Sequence, residues 1–94
     1  MKKDWVVSMA DLPNERIRIF RFFGSEDELC KKLIETTQNV ARKIHCTDDE
    51  ILDIPDSLQY NEDDCSWNIC AYAEREANIV YFSAKENKLI TETI

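Results

Sequence analysis

Residues 15–45, ERIRIFRFFGSEDELCKKLIETTQNVARKIH, decide how this chain folds. A run dense in β-branched and aromatic side chains leads up to Gly24, and a helix signature starts directly after it. In an extended strand over 15–23, Ile17, Ile19 and Phe23 fall on one side and Arg16, Arg18, Phe20 and Phe22 on the other. Two arginines beside two phenylalanines on one face predict a strand that is only partly covered. Gly24 breaks the strand pattern. Ser25 and Glu28 then have the spacing of a capping box, in which the Ser25 hydroxyl accepts from the Glu28 N–H and the Glu28 carboxylate from the Ser25 N–H.

The spacing that follows predicts a helix over about 26–45. At 100° per residue, Leu29, Cys30, Leu33, Ile34, Thr37, Val40, Ala41 and Ile44 share an arc of about 140°. Charged and amide side chains hold the opposite face. Glu26, Asp27 and Glu28 crowd the first turn and Arg42 and Lys43 the last, as the helix macrodipole favours. One broad apolar stripe is the mark of a helix lying on a sheet, with Leu29, Leu33, Val40 and Ile44 as the covering residues.

Working outward, strands are expected at 5–10 (WVVSMA), before the turn DLPN, and at 66–74 (SWNICAYAE) and 78–85 (NIVYFSAK) around the connection REA. Trp67, Ile69, Ala71 and Ala73 alternate with Ser66, Asn68, Cys70 and Tyr72, so one face of that strand is buried. KLITETI, 88–94, is a candidate edge strand. The order β-β-α-β-β predicts an α+β, two-layer fold with a four- to five-stranded antiparallel sheet and one long helix packed on one face. At 94 residues the chain is read as one domain, 1–94.

The charge is placed unevenly. The chain carries −7 overall, yet Asp48, Asp49, Glu50, Asp53, Asp56, Glu62, Asp63 and Asp64 supply eight negative charges with no base among them. The remaining acids and bases nearly balance. Thr47 and Glu50 repeat the capping-box spacing, so a short helical turn is expected before Pro55. Ile51, Leu52, Ile54, Leu58 and Tyr60 are apolar enough to pin segment 47–64 against the body, which sets it apart from a disordered acidic tail. Such a surface disfavours nucleic acid and anionic membranes and favours basic proteins or cations. No apolar run nears the roughly 18 residues a membrane helix needs, and Met1–Trp5 is not followed by a signal-peptide apolar region. The expectation is a cytoplasmic protein with reduced thiols.

The stretches FFGSEDELCKKLIE (22–35) and NICAYAEREANIVYFSAKE (68–86) resemble a set of short acidic proteins of low-GC Gram-positive bacteria and their phages. That set is marked by a strand, a G-S/T-E-x-E helix start and a late tyrosine-rich hairpin. The shared motifs are structural rather than catalytic, so the resemblance implies a fold and no site residue. In size, acidity and lack of catalytic groups the chain is also similar in type to phage-encoded inhibitors of host defence, including anti-CRISPR proteins.

Catalytic and cofactor patterns are weak. His45, the single histidine, neighbours Cys46 in sequence, but adjacent helical residues point different ways and make no nucleophile–base pair. Cys46, Cys65 and Cys70 with His45 could number four zinc ligands, yet Cys65-x4-Cys70 lacks the usual knuckle spacing. TDDEILDIPD lacks a calcium-loop pattern, and one glycine leaves no phosphate-binding loop. Phe20, Phe22, Tyr72, Tyr81 and Phe82 are read as core and half-covered sheet, not as a base-stacking platform. No metal, no cofactor and no enzymatic activity are expected.

The eight acids are then the candidate partner-binding residues, a surface that imitates nucleic acid. At one charge per about 1.7 Å of duplex, they match about 14 Å of it. Their expected counterpart is a basic nucleic-acid-binding protein, such as a Cas effector or a nuclease, with no direct contact to nucleic acid. The alternative is a small interaction domain that associates with itself, as a homodimer, and has a merely solvated acidic loop.

Overall fold

Two hairpins and one long helix account for most of residues 1–87, which a computed structural model of the chain describes. The candidate strand at 88–94 lies outside the described residues. Strands β1 (Lys3–Asp11) and β2 (Arg16–Gly24) form the first hairpin. In its turn the Asp11 carboxylate accepts from the Asn14 side-chain amide at 2.8 Å, the local bonding that makes Asp and Asn turn formers. Helix α1 (Glu26–Lys43) begins on the expected capping box, with the Ser25 hydroxyl 3.1 Å from the Glu28 N–H and the Glu28 carboxylate 2.9 Å from the Ser25 N–H. Helix α2 (Asp48–Asp53) begins on the second box, set by Thr47 and Glu50, and a 3₁₀ turn over Ile54–Ser57 ends it at Pro55.

The sheet has five antiparallel strands in the order β2-β1-β5-β4-β3, where β3 is Gln59–Asn61, β4 is Ser66–Ala73 and β5 is Asn78–Glu86. The two hairpins join through β1 and β5, so the ends of the described chain meet at the centre of the sheet. The fifth strand comes from inside the acidic segment.

Alternation puts Trp5, Val7, Met9, Ile69, Ala71, Val80, Phe82 and Ala84 on one face, all buried. Leu29, Leu33, Thr37, Ala41 and Ile44 of α1 and its cap close over them, and Val40 packs partly against the same core. Alanines at 41, 71, 73 and 84 are fully buried, and their small volume lets helix and sheet approach closely. Each large apolar side chain buried here contributes about 1.5–3 kcal/mol. Gly24 ends β2, as expected, and a Cβ there would stand 2.8 Å from the Phe22 ring. Its carbonyl accepts the Trp5 indole N–H at 3.1 Å, so a side chain at 24 would disturb the corner where β2 turns into α1.

Helix α1 stops in a Schellman motif. His45 takes a left-handed φ of 68°, its N–H bonds to the Arg42 carbonyl, and the Cys46 N–H bonds to the Ala41 carbonyl at 3.0 Å. The histidine therefore caps a helix. No helix among the described residues is long and apolar enough to cross a membrane.

Candidate functional site

The acidic segment runs antiparallel to β4 and covers its outer edge. Helix α2 sits at the Glu74 end, where Glu50 Oε2 accepts the Glu74 N–H at 2.9 Å. The 3₁₀ turn lies beside the middle of the strand, its Ser57 hydroxyl directed at the Cys70 carbonyl. Strand β3 then pairs with Ser66–Asn68, and the tight turn 62–65 closes the hairpin. Ile54 is buried, and Ile51 and Leu58 pack partly against the core, so apolar anchors hold the segment in place. Leu52, expected among them, is instead 71% exposed, because the short helix turns it away from the face that carries Ile51 and Ile54. Tyr60, also expected as an anchor, stays exposed because β3 is the outermost strand, and it meets Trp67 only at the rim, with ring centroids 5.1 Å apart.

This placement sorts the eight candidate acids into two kinds. Glu50 is occupied within the fold. One carboxylate oxygen closes its own capping box at 2.7 Å from the Thr47 N–H, and the other holds the chain after β4. The Glu74 and Thr47 amides hold its carboxyl below the usual carboxylate range. Asp64 is likewise engaged, by the Ser66 hydroxyl at 2.5 Å and by Lys85 at 3.9 Å. The carboxylates of Asp48, Asp49, Asp53, Asp56, Glu62 and Asp63 are exposed and have no hydrogen bond or ion pair among the described residues.

These six do not form one tight cluster. They are strung along β4, whose eight residues span about 25 Å. Six charges over that length give about one per 4 Å, against about one per 1.7 Å for duplex DNA and about one per 3.4 Å for a single strand of it. What the sequence could not reveal is the commitment of Glu50 and Asp64 to the fold. The capping-box spacing signalled half of the Glu50 role, and nothing local signalled its bond to Glu74.

The remaining chemistry is dispersed. Among the described residues no three His, Cys, Asp or Glu side chains converge as a metal site would require. A cleft of about 450 Å³ beside the 62–65 turn is lined by Glu26, Asp63, Asp64, Cys65, Lys3 and Lys85 among others. Its charges are partly paired, Lys3 with Glu86 at 3.7 Å and Lys85 with Asp64. Cys65 in this cleft lies near the start of α1, whereas His45 caps its far end. An 18-residue helix separates the two by about 27 Å, so they cannot act as a dyad. Burial raises the Cys30 and Cys46 thiols above their usual range, which disfavours thiolate chemistry there. The five aromatics named above divide between faces, Phe20, Phe22 and Phe82 toward the helix and Tyr72 and Tyr81 away from it, so they form no common platform.

Compared with protein-family models, with curated proteins and with solved structures, the chain matches none.

Proposed function

We propose that the chain is a non-enzymatic, cytoplasmic protein-binding inhibitor of the phage- or mobile-element-encoded, anti-CRISPR type. Its target is a basic nucleic-acid-binding protein of host defence, such as a Cas effector or a nuclease, and its acidic edge occupies the groove meant for DNA or RNA. One observation carries the reading. Six exposed carboxylates with no partner among the described residues are held on α2, the 3₁₀ turn and the 62–65 turn, along a single edge of a folded support. Unpaired like charges repel one another, and a groove rich in Lys and Arg relieves that repulsion. Their spacing, close to that of one nucleic-acid strand, favours a groove that grips a single strand or one strand of a duplex. Asp48, Asp49, Asp53, Asp56, Glu62 and Asp63 are the contacting residues in this reading. Glu50 and Asp64 hold the edge in shape.

Immobilised chain is incubated with bacterial lysate at low and high salt, and bound proteins are eluted with single-stranded DNA. Recovery of a nuclease or Cas effector at low salt, released by the DNA and lost at high salt, is the expected result. A partner that stays bound under competing DNA and under high salt would overturn the acidic-edge reading.

A further inference from the structure

Among the described residues, the opposite edge of the sheet is bare. Strand β2 has no neighbour on its outer side among the described residues, and Ile17, Ile19 and Phe23 are 78%, 65% and 67% exposed. Natural proteins rarely leave a long apolar edge open, because its unpaired N–H and C=O groups template another strand.

The direction of those groups follows from the hydrogen bonds. Leu12 N–H reaches the Ile79 carbonyl and Asn87 N–H the Asp4 carbonyl, so the even residues of β1 bond toward β5 and the odd ones toward β2. Across the hairpin, the odd residues of β1 stand opposite the even residues of β2, from Asp11 against Arg16 to Lys3 against Gly24. Outward-pointing backbone groups therefore belong to Ile17, Ile19, Arg21 and Phe23.

We infer that the chain forms a two-fold dimer in which β2 pairs antiparallel with β2 of a second copy, with Phe20 on the axis. Backbone parity admits only registers that oppose odd residues to odd residues, which places both helices on one side of a continuous sheet. Of these, the register centred on Phe20 alone pairs the whole strand from Arg16 to Gly24. It sets Ile17 against Phe23 and Ile19 against Arg21 of the second copy, giving about eight backbone hydrogen bonds across the axis. Shifting the axis to Ile19 brings Glu15, in a left-handed turn conformation, against Phe23 and loses the outermost bonds. Centring on Arg18 or Arg21 opposes like charges directly.

In this register no arginine stands directly opposite an arginine of the second copy. In the Phe20 register Arg18 lies opposite an aromatic ring, Phe22 of the second copy, and Arg21 is already paired with Asp4. The acidic edges end up at the two far ends of the joined sheet, about 40 Å apart at about 4.8 Å per strand and far beyond a screening length of about 8 Å. A nine-residue strand about 30 Å long, with side chains on both faces, buries about 450 Å² per copy, or about 900 Å² in all. That is below the roughly 1,200 Å² at which standard interfaces begin, which marks a weak, reversible dimer.

Sedimentation equilibrium from about 1 µM to about 500 µM tests the pairing by mass action. The expected result is a reversible monomer–dimer equilibrium that Ile19→Lys weakens by about tenfold or more, because it replaces an apolar contact with a charge facing Arg21. In a Cys65→Ser background, Phe20→Cys should cross-link on mild oxidation and Ile17→Cys should not, since only position 20 meets itself. A single monomeric mass throughout would overturn the proposal and leave the edge to a strand of another protein. So would a dimer indifferent to Ile19→Lys, or equal cross-linking at positions 17 and 20.

Discussion

Ile69 and Ile17 are β-branched residues on strands of the same sheet, yet one is 1% exposed and the other 78%. The difference lies in what each side of the sheet has been given to cover it. On the β4 side, α1 lies over the inner face and the acidic segment closes the outer edge with α2, a 3₁₀ turn and β3. On the β2 side, α1 reaches only the part near Gly24, and residues 12–20 are exposed without exception. One region is sealed by the chain's own acids, and the other keeps a basic, apolar strand facing outward. Burial, then, and not residue type, sets what each isoleucine contributes.

Ile69→Ala should therefore cost about 2–5 kcal/mol in urea denaturation, as should Leu33→Ala on the helix above it. Ile17→Ala should change stability by no more than about 0.5 kcal/mol in the dilute monomer. Equal losses at positions 69 and 17 would break the comparison. Thr47→Ala removes the cap that starts the acidic wrap and should cost about 1 kcal/mol, with faster hydrogen exchange confined to α2 and the 3₁₀ turn. If exchange rises uniformly instead, the wrap is not a separable cover. Ala77, which turns β4 into β5 at φ 55°, gives a change of opposite sign. Ala77→Gly relieves a left-handed alanine and should stabilise by about 0.5–1 kcal/mol, read as a higher melting temperature.

Acid acts on the two regions through different carboxylates. Glu50 in the wrap is held below its usual range by the Glu74 amide, Glu28 at the start of α1 by the Ser25 amide, and Asp4 on β1 by the Asn87 side chain and then Arg21. Each folded-state value is lowered, so each group adds stability above its unfolded value near about pH 4 and loses it as pH falls through the folded one. Melting temperature should thus fall as pH drops below about 4, and fall less in Glu50→Gln, which has no charge left to titrate there.

Much of this was legible in the sequence because it is local. Both capping boxes, the helical stripe of Leu29, Leu33 and Ile44, and the alternation in β4 all depend on residues within a turn or two of each other. Strand β3 was not legible. Gln59, Tyr60 and Asn61 carry no alternation long enough to read, and their pairing with Ser66–Asn68, with Tyr60 against Trp67, is set by the fold. The strand order was equally hidden, since joining β1 to β5 depends on contacts from opposite ends of the chain. For the acidic segment, composition marked the right residues but could not divide them. That division rests on Glu74 and Lys85, which lie outside the segment and meet it only in the fold.

The smallest expected effect on the fold comes from the exposed acids. Converting Asp53, Asp56 and Asp63 to Asn and Glu62 to Gln removes four unpartnered charges outside the first turn of α2 and leaves Glu50 and Asp64 in place, so the melting temperature should hold or rise slightly. The same variant tests the acidic edge as a working surface most directly. Titrated calorimetrically against the partner recovered by the wild-type chain, it should bind at least about tenfold more weakly at low salt, with a flatter dependence on added salt. Binding as tight as wild type, with the same salt dependence, would contradict that role and leave the edge as solvent-facing surface.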